Sequence, residues 1–325
     1  EDFMLDGFCR TIDYIRISVT DRCNLRCRYC MPPEGITCLP MHEILSYEET
    51  IHLCRIFAEL GVRKVKITGG EPFVRRNVCH LIRAIKDIPG IDSVTITTNG
   101  ILALQHLKEL KAIGIDGINF SLDTLDPEIF RQITGTDALS DVLKAIDAAA
   151  AIGIPNIKIN CVPVQGSNTE DIPGIAAFAK NYPFHVRFIE LMPIGLGKDY
   201  QSVPESDIRR ILETAYGSLL PAEGTFGNGP AHYSHIDGFR GHIGFISAMS
   251  HMFCEQCNRI RLTADGQLKT CLFYEKGVNL KPLLRSHHSD EEIMHQISLA
   301  LHDKPKHHDL DSLSPEHRGM SQIGG

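Results

Sequence analysis

Cys23, Cys27 and Cys30 form a C-x3-C-x2-C motif in the stretch DRCNLRCRYCMPP, directly after the apolar run YIRISV. Closely spaced thiolates hold iron–sulfur clusters or zinc, and zinc motifs normally pair two C-x2-C units, which the x3 spacing fits poorly. A four-iron cluster usually takes four thiolates, so three leave one iron open to a substrate or cofactor. The motif therefore predicts an open catalytic [4Fe–4S] cluster, with zinc as the alternative.

A second group of three cysteines, Cys254, Cys257 and Cys271, stands near the end of the chain. As zinc ligands they would need a fourth partner, for which His251 or His242 is available, so spacing alone leaves zinc open here. The other five cysteines are scattered among apolar residues and are expected to be free thiols. This usage favours a reducing, cytoplasmic compartment over a disulfide framework.

The composition is that of an ordinary globular protein. Of 325 residues, 43% are hydrophobic and 22% charged, which is typical of such chains. No run of about 18 apolar residues occurs, so no membrane span is expected. The net charge of −7 argues against nucleic-acid binding, which favours a basic face. The first residues do not read as a signal peptide, although a targeting segment could precede Glu1 because no initiator Met is present.

Short β-rich runs alternate with helical patterns from residue 12 to about 191. The predicted strands are YIRISV, KVKITGG, SVTITTNG, GINFSLD, NIKINCVPV and HVRFIELMP. This alternation predicts an α/β fold with right-handed βαβ units, and six units instead of eight predict an incomplete (βα)6 TIM-like barrel. Active sites of such barrels lie at the carboxyl ends of the strands, where the groups CNLRC, TGGEP, TTNG, SLD and LMPIG should converge.

The glycine-rich stretch 223–231 is a candidate boundary between two domains. Residues 1–222 would form the barrel with the first cluster. Residues 223–325 would form a smaller region with hairpins, the second cluster and a Gly324-Gly325 tail. The histidine-rich stretch 287–317 is expected to be a solvated region.

The first motif, with Tyr29 before its third cysteine and GGEP at 69–72, resembles the radical S-adenosylmethionine superfamily. Nearly the whole chain is similar to the GTP 3′,8-cyclases of molybdenum cofactor biosynthesis. The stretches that carry this resemblance are DYIRISVTDRCNLRCRYCMP, KITGGEP, TTNG, SLD, RFIELMP, GPAHY, GFISAMS, CNRIRLTADG and the terminal IGG. The resemblance implies conversion of GTP to (8S)-3′,8-cyclo-7,8-dihydroguanosine 5′-triphosphate, in which a 5′-deoxyadenosyl radical removes the ribose 3′ hydrogen.

The resemblance also implies site residues and two [4Fe–4S] clusters. The first triad would hold the cluster that binds S-adenosylmethionine, and the second triad a cluster whose open iron binds the purine of GTP. Residues at S-adenosylmethionine positions are Tyr29, Gly70, Ser121 and Met192. Residues at GTP positions are Lys66, Thr97, Lys158, Arg259, Arg261 and Arg16, the last also catalytic. Cys9 stands where the family often has glycine.

The implied partners are GTP, an electron donor and a downstream cyclic pyranopterin monophosphate synthase, and a homodimer is compatible with the resemblance. The alternative function is a radical S-adenosylmethionine maturase that modifies a peptide or a partner enzyme. Such a protein would need a peptide groove and usually a fully ligated auxiliary cluster. GTP binding would separate the two functions.

Overall fold

The computed structural model describes residues 4–224, 226–308 and 316–324, and the strands in this part of the chain join into one twelve-stranded sheet. In chain order they are β1 Tyr14–Ser18, β2 Lys64–Thr68, β3 Ser93–Thr98, β4 Gly117–Ser121, β5 Ile157–Cys161, β6 His185–Ile189, β7 Leu219–Pro221, β8 His232–Ile236, β9 His242–Ile246, β10 Arg259–Leu262, β11 Gln267–Lys269 and β12 Gly277–Asn279. Across the sheet the order is β12-β11-β10-β1-β2-β3-β4-β5-β6-β9-β8-β7.

The six predicted barrel strands lie side by side and parallel, from β1 to β6. The predicted α/β fold with a parallel sheet is therefore confirmed. Two strands from the C-terminal third extend it in parallel, with β10 beside β1 and β9 beside β6. The predicted hairpins lie outside these strands, where β8 pairs antiparallel with β9 and with β7, and β11 with β10 and β12.

Ten α-helices lie within the described ranges. They are α1 Tyr47–Glu59, α2 Val78–Lys86, α3 Leu107–Ile113, α4 Pro127–Thr134, α5 Leu139–Ala151, α6 Ile172–Asn181, α7 Glu205–Tyr216, α8 Lys281–Arg285, α9 Asp290–His302 and α10 Met320–Ile323. Helix α1 begins at a capping box in which Ser46 and Glu49 cap each other's backbone N–H groups. Helix α4 begins at Asp126 followed by Pro127, which is a common helix start.

Alternation along the strands separates the core from the site. In β1, Ile15 and Ile17 are buried in the hydrophobic core, while Arg16 between them lines the internal cavity. In β2, Val65 and Ile67 are likewise in the core and Lys66 lines the cavity. Successive side chains of a strand point to opposite faces, so the apolar residues anchor the strands and the polar ones face inward.

The glycine-rich segment predicted as a boundary packs against the first residues of strands from both halves of the chain. The Phe226 ring lies 5.2 Å from that of His185 in β6 and 4.1 Å from that of His242 in β9. Asn228 Nδ2 lies 3.4 Å from Ser93 Oγ at the start of β3. Residues 226–230 therefore line the amino-terminal end of the cavity, and the 222/223 domain boundary stays a prediction.

All eleven cysteines lie within the described ranges, and all are free thiols. No helix in the described part of the chain is both long and apolar enough to cross a bilayer.

Candidate active site

The residues assigned to the site from sequence all line one cavity of about 630 Å³. They are Cys23, Cys27, Cys30, Cys254, Cys257, Cys271, Arg16, Lys66, Thr97, Lys158, Arg259, Arg261, Tyr29, Gly70, Ser121 and Met192. They come from β1–β5, from β10 and from the loops that follow the strands. The fold thus brings together both cysteine triads, although more than 220 positions of sequence numbering separate them.

The loop after β1 carries the first triad in a defined conformation. The N–H groups of Cys30 and Met31 both donate to the Cys27 carbonyl, at 2.8 and 2.9 Å. Arg26 and Arg28 donate from their backbone N–H groups to the carbonyls of Thr134 and Ile133 at the end of α4. The loop is therefore held against the end of α4 by backbone hydrogen bonds.

Burial raises the pKa values of all three thiols of this triad. It raises the pKa of Cys27 well above its usual value and that of Cys30 to about 12, with neighbouring sulfurs adding to both shifts. Burial also raises the pKa of Cys23. Metal binding must then displace these protons, which bound cations do by stabilising thiolate.

Gly69 and Gly70 allow the end of β2 to approach the cysteine loop. A Cβ on Gly70 would lie 2.3 Å from the Arg22 carbonyl oxygen, and one on Gly69 would lie 2.8 Å from that of Thr20. The Gly70 N–H donates to the same Thr20 carbonyl at 2.7 Å. The missing side chains are thus explained by contact between two loops, and the assignment of Gly70 to the S-adenosylmethionine position stays a prediction.

Glu71 of GGEP links the loop after β2 to the end of β3. Its carboxylate is 1% exposed and accepts hydrogen bonds from Thr98 Oγ1 at 2.8 Å and from the Asn99 N–H at 2.7 Å. Burial raises its pKa to about 7 against these hydrogen bonds. Glu71 therefore joins the loop after β2 to the loop after β3.

Tyr29 is held by a residue that the sequence analysis did not single out. Its hydroxyl donates to Asp123 Oδ2 at 2.5 Å, and Asp123 Oδ1 accepts from the Val162 N–H at 2.8 Å. Burial raises the pKa of Asp123 to about 6, although the Tyr29 hydrogen bond opposes this. The end of β4 therefore fixes the aromatic residue of the first motif.

The second triad differs from the first because fixed cations accompany it. The Cys257 N–H donates to the Cys254 carbonyl at 3.1 Å, which forms a tight turn. Burial would raise the pKa of Cys257, but Lys304 and Arg259 outweigh it and lower the pKa to about 7. For Cys271 burial prevails and raises the pKa.

Neither cysteine triad has the sulfur spacing of a single zinc site. In a tetrahedral site with Zn–S bonds of about 2.3 Å, the sulfurs lie about 3.8 Å apart. Neither triad, both of which are fully described, brings its three sulfurs within 4.8 Å of one another. Nor do the suggested fourth ligands contact the second triad: the His242 ring packs against Phe226, and His251 Nδ1 lies 3.6 Å from Glu205.

Three cations lie in register on adjacent strands inside the cavity. Arg16 in β1 pairs with Arg261 in β10 on one side and with Lys66 in β2 on the other. Burial, with nearby cations, lowers the pKa of all three groups, that of Lys66 and Arg261 strongly. Like charges in cross-strand neighbours destabilise a sheet, so this row indicates that the cavity receives an anion.

A second group of cations continues the row along β5 and β6. Lys158 donates to the Phe226 carbonyl, and burial together with Arg187 lowers its pKa to about 7. Arg187, 7% exposed, donates to Asn160 Oδ1 at 2.8 Å. With its amide oxygen turned inward, Asn119 accepts from Lys66 Nζ at 2.6 Å and Arg187 Nη2 at 2.9 Å.

Comparison with known proteins identifies the family. Residues 17–179 match the Radical SAM superfamily, and residues 184–310 match the family described as Molybdenum Cofactor Synthesis C. The chain is 48% identical to a GTP 3′,8-cyclase from Syntrophomonas wolfei, 42% to one from Desulforamulus reducens and 43% to one from Thermodesulfovibrio yellowstonii. Each alignment covers 99% of this chain and 100% of the relative.

The chain belongs to the GTP 3′,8-cyclase family.

Solved structures of more distant proteins agree with this fold. Streptococcus suis SuiB bound to S-adenosylmethionine superposes with a TM-score of 0.61 at 16% identity, over 87% of this chain and 67% of that chain. SuiB bound to its precursor peptide SuiA gives 0.62 at 16% identity, over 90% and 65%. At such identity the likeness concerns the fold alone, so it does not favour the alternative of a peptide maturase over a GTP 3′,8-cyclase.

Some residues of this GTP 3′,8-cyclase site were missed from sequence. Arg187 could have been found because, like Arg16 and Lys66, it interrupts an apolar strand, HVRFI. His308 lies within the histidine-rich stretch expected to be solvated, yet it is 8% exposed, so that expectation is wrong for this residue. Its Nδ1 lies 3.2 Å from Cys254 Sγ, a proximity that no local pattern indicates.

Proposed function

We propose that this chain converts GTP to (8S)-3′,8-cyclo-7,8-dihydroguanosine 5′-triphosphate within the cavity described above, and we assign its side chains to that reaction. The observation that carries the proposal is the placement of two three-cysteine groups and a set of buried cations on one cavity. One group would serve S-adenosylmethionine, the other the purine of GTP.

The six cysteines would ligate two [4Fe–4S] clusters, three cysteines to each cluster. Cys23, Cys27 and Cys30 would hold the first, and Cys254, Cys257 and Cys271 the second. When bound, the first cluster with S-adenosylmethionine supplies the 5′-deoxyadenosyl radical that removes the ribose 3′ hydrogen. Three cysteines leave one coordination position on each cluster for a substrate or cofactor.

The cations would bind the triphosphate. Buried cations without anionic partners cost free energy, and in the described residues Lys66, Lys158 and Arg187 form no ion pair with a carboxylate. A triphosphate would relieve this cost, and Arg259 and Arg261 offer forks that suit bidentate phosphate contacts. Arg16 lies between Arg261 and Lys66 in the same row, and we assign it to both GTP binding and catalysis.

Other residues would fix the reactants against each other. Tyr29, held by Asp123, together with Gly70, Ser121 and Met192, would line the S-adenosylmethionine position. Thr97 would contact the nucleotide beside Asn119, its partner in register on β4. Holding radical source and target in one enclosed site provides the orientation that such chemistry requires.

The wider arrangement is proposed on the same basis. An electron donor must reduce the first cluster, and a cyclic pyranopterin monophosphate synthase would consume the product. We further propose residues 1–222 and 223–325 as functional regions, each with one cluster.

Iron content of the anaerobically reconstituted protein tests the two-cluster assignment. Two [4Fe–4S] clusters give about eight irons per chain. Replacing Cys23, Cys27 and Cys30 together should halve the iron and stop S-adenosylmethionine cleavage. Replacing Cys254, Cys257 and Cys271 should halve it and weaken GTP binding. A wild-type content near four irons would contradict the assignment, and replacing Cys54 provides a buried control thiol outside both triads.

A further inference from the structure

Two side chains from the segment after α9, residues 304–308, reach the sulfurs of the second triad. Lys304 Nζ lies 3.5 Å from Cys257 Sγ, and His308 Nδ1 lies 3.2 Å from Cys254 Sγ. Lys304 is 3% exposed and His308 8%. Two of the three sulfurs therefore each have a buried nitrogen group beside them.

Lys304 is fixed by three acceptors, which matches the three hydrogens of an ammonium group. Besides Cys257 Sγ they are the Arg259 carbonyl at 3.2 Å and the Thr270 carbonyl. Among the described residues, no carboxylate forms an ion pair with Lys304. A buried cation requires a compensating negative charge, and a Cys257 thiolate beside Nζ would supply it.

His308 is fixed by an aromatic neighbour from the same site. Its ring stacks on that of Phe273 with a centroid distance of 4.2 Å and an interplanar angle of 10°. Phe273 follows Cys271 by two residues, so the loop of the third cysteine supports the ring that reaches the first. The stacking keeps Nδ1 directed at Cys254.

The N-terminal region ties the 304–308 segment to the cysteine loop. Arg10 Nη1 donates to the Cys254 carbonyl at 2.7 Å and to the Lys306 carbonyl at 2.9 Å, while Nη2 donates to the Pro305 carbonyl at 2.7 Å. Asp6 holds the same guanidinium through Nε at 2.5 Å. One buried arginine thus hydrogen-bonds to both segments and fixes the distance between them. The contacts of Lys304 and His308 with the sulfurs are therefore supported by the surrounding structure.

We propose that Lys304 and His308 are positioning residues of the second cluster, which donate N–H···S hydrogen bonds to the Cys257 and Cys254 thiolates and raise its reduction potential. This inference rests on the proposed function, because it requires a cluster at the second triad. Hydrogen bonds to the sulfurs and net local charge are two of the factors that set cluster potentials. Lys304 contributes a donor and a charge and His308 a donor, so the contribution of Lys304 is the larger.

The chain offers matched controls for both residues. Lys306 and His307 lie in the same segment, and their side chains are exposed. The variants are Lys304→Met and His308→Phe, the second of which keeps an aromatic ring against Phe273. Lys306→Met is the control for Lys304→Met, and His307→Phe is the control for His308→Phe.

The experiment uses the full chain with Cys23, Cys27 and Cys30 replaced by alanine, so that only the second cluster contributes. Iron per chain is measured first, then the midpoint potential by redox titration followed by electron paramagnetic resonance. We expect Lys304→Met to move the potential to a more negative value and His308→Phe to move it less in the same direction. A tenfold change in the one-electron equilibrium corresponds to about 59 mV. The controls should keep the potential of the parent.

The outcomes separate this inference from the proposed function. A parent that binds no iron would refute the second cluster itself. A parent with about four irons, whose potential is the same in Lys304→Met as in Lys306→Met, would refute the role of Lys304. If Lys304→Met does not fold, the proposal is tested with His308→Phe. A midpoint potential of His308→Phe equal to that of His307→Phe then overturns the proposal. A nitrogen coupling of ligand size that disappears in His308→Phe would show coordination of iron and would also overturn it.

Discussion

The guanidinium of Arg261 donates a hydrogen bond to the carbonyl oxygen of Gly324, so the end of the chain meets the row of cations inside the cavity. Gly324 has a φ of 78°, and a Cβ there would lie 3.2 Å from Ser18 Cβ and 3.3 Å from Thr68 Cγ2. Both the backbone conformation and the available space therefore require glycine. Ile323, fully buried, anchors the segment.

Deleting Gly324 and Gly325 should abolish cyclisation while both clusters and GTP binding remain largely intact. The reason is that the tail contacts Arg261 without contributing a cluster ligand, although Gly325 itself lies outside the described residues. Product formation, iron content and GTP affinity are measured on the same preparation. A synthetic peptide of the last dozen residues should partly restore activity.

A single substitution refines this test. Gly324→Ala should impair cyclisation, whereas Gly114→Ala should not. Gly114 has a similar φ of 74°, but a Cβ there would meet no atom within 4 Å. Turnover at the full rate in the truncated protein would show that the tail has no role.

Arg259→Ala and Arg261→Ala should each weaken GTP binding by about 1.5–3 kcal/mol, the range for hydrogen bonds to charged groups. Both side chains line the cavity from β10, and the triphosphate is their proposed partner. Guanosine, which carries no phosphate, should bind equally well to both variants and to the wild type. Calorimetry measures both ligands, with Arg210→Ala at an exposed ion pair as the control. Unchanged GTP affinity in both variants would exclude these arginines from the site.

GTP binding should take up protons above pH 7 through Lys158. Burial and Arg187 lower the pKa of this lysine to about 7 in the free protein, so it is increasingly neutral above that pH. A bound triphosphate favours the charged form and raises the pKa. Affinity should therefore fall as the pH rises from 7, and calorimetry at pH 8 in two buffers of different ionisation enthalpy measures the uptake.

Lys158→Met should reduce this proton uptake, leaving the part that Lys66 contributes, since burial also lowers the pKa of that lysine. The exposed Lys144, near Asp141, provides the control substitution. An uptake identical in Lys158→Met and in the wild type would mean that Lys158 does not face the triphosphate.

Glu316→Gln should destabilise the folded chain by about 3–5 kcal/mol, the cost of leaving one member of a buried ion pair unpaired. Glu316 pairs with Lys269, and their side chains are 1% and 0% exposed. Anaerobic denaturant titration measures the free energy of unfolding. Asp303→Asn breaks an exposed pair with Lys276 and should cause no measurable change. Equal effects of the two substitutions would contradict the structural importance of the buried pair.

Much of this site could be predicted because its signals are local. The spacing of Cys23, Cys27 and Cys30 is written within eight residues, and Arg16 and Lys66 interrupt apolar strands whose alternation is visible in the sequence. Those strands formed where the β-rich runs predicted them, because inward and outward positions follow from the period of two.

The rest depends on contacts between distant segments. The pairing of β10 with β1 joins residues about 245 positions apart, and no local pattern determines such a neighbour. For the same reason, Lys304 and His308 read as ordinary charged and polar residues, and the Phe226 segment as a linker. Cys9 adopts a left-handed backbone, with a φ of 60°, which no local pattern in the sequence indicates.

In the proposed reaction, one cysteine triad serves to generate the radical and the other holds its target in the same cavity. Transfer of deuterium from GTP labelled at the ribose 3′ position into 5′-deoxyadenosine, measured by mass spectrometry after anaerobic turnover, tests this division directly. The wild type should give singly deuterated 5′-deoxyadenosine together with a cyclised isomer of GTP. The variant without Cys254, Cys257 and Cys271 should still cleave S-adenosylmethionine but give 5′-deoxyadenosine without deuterium. Unlabelled 5′-deoxyadenosine from the wild type would contradict removal of the ribose 3′ hydrogen by the radical. Full deuterium transfer in that variant would contradict the role of the second triad in holding GTP.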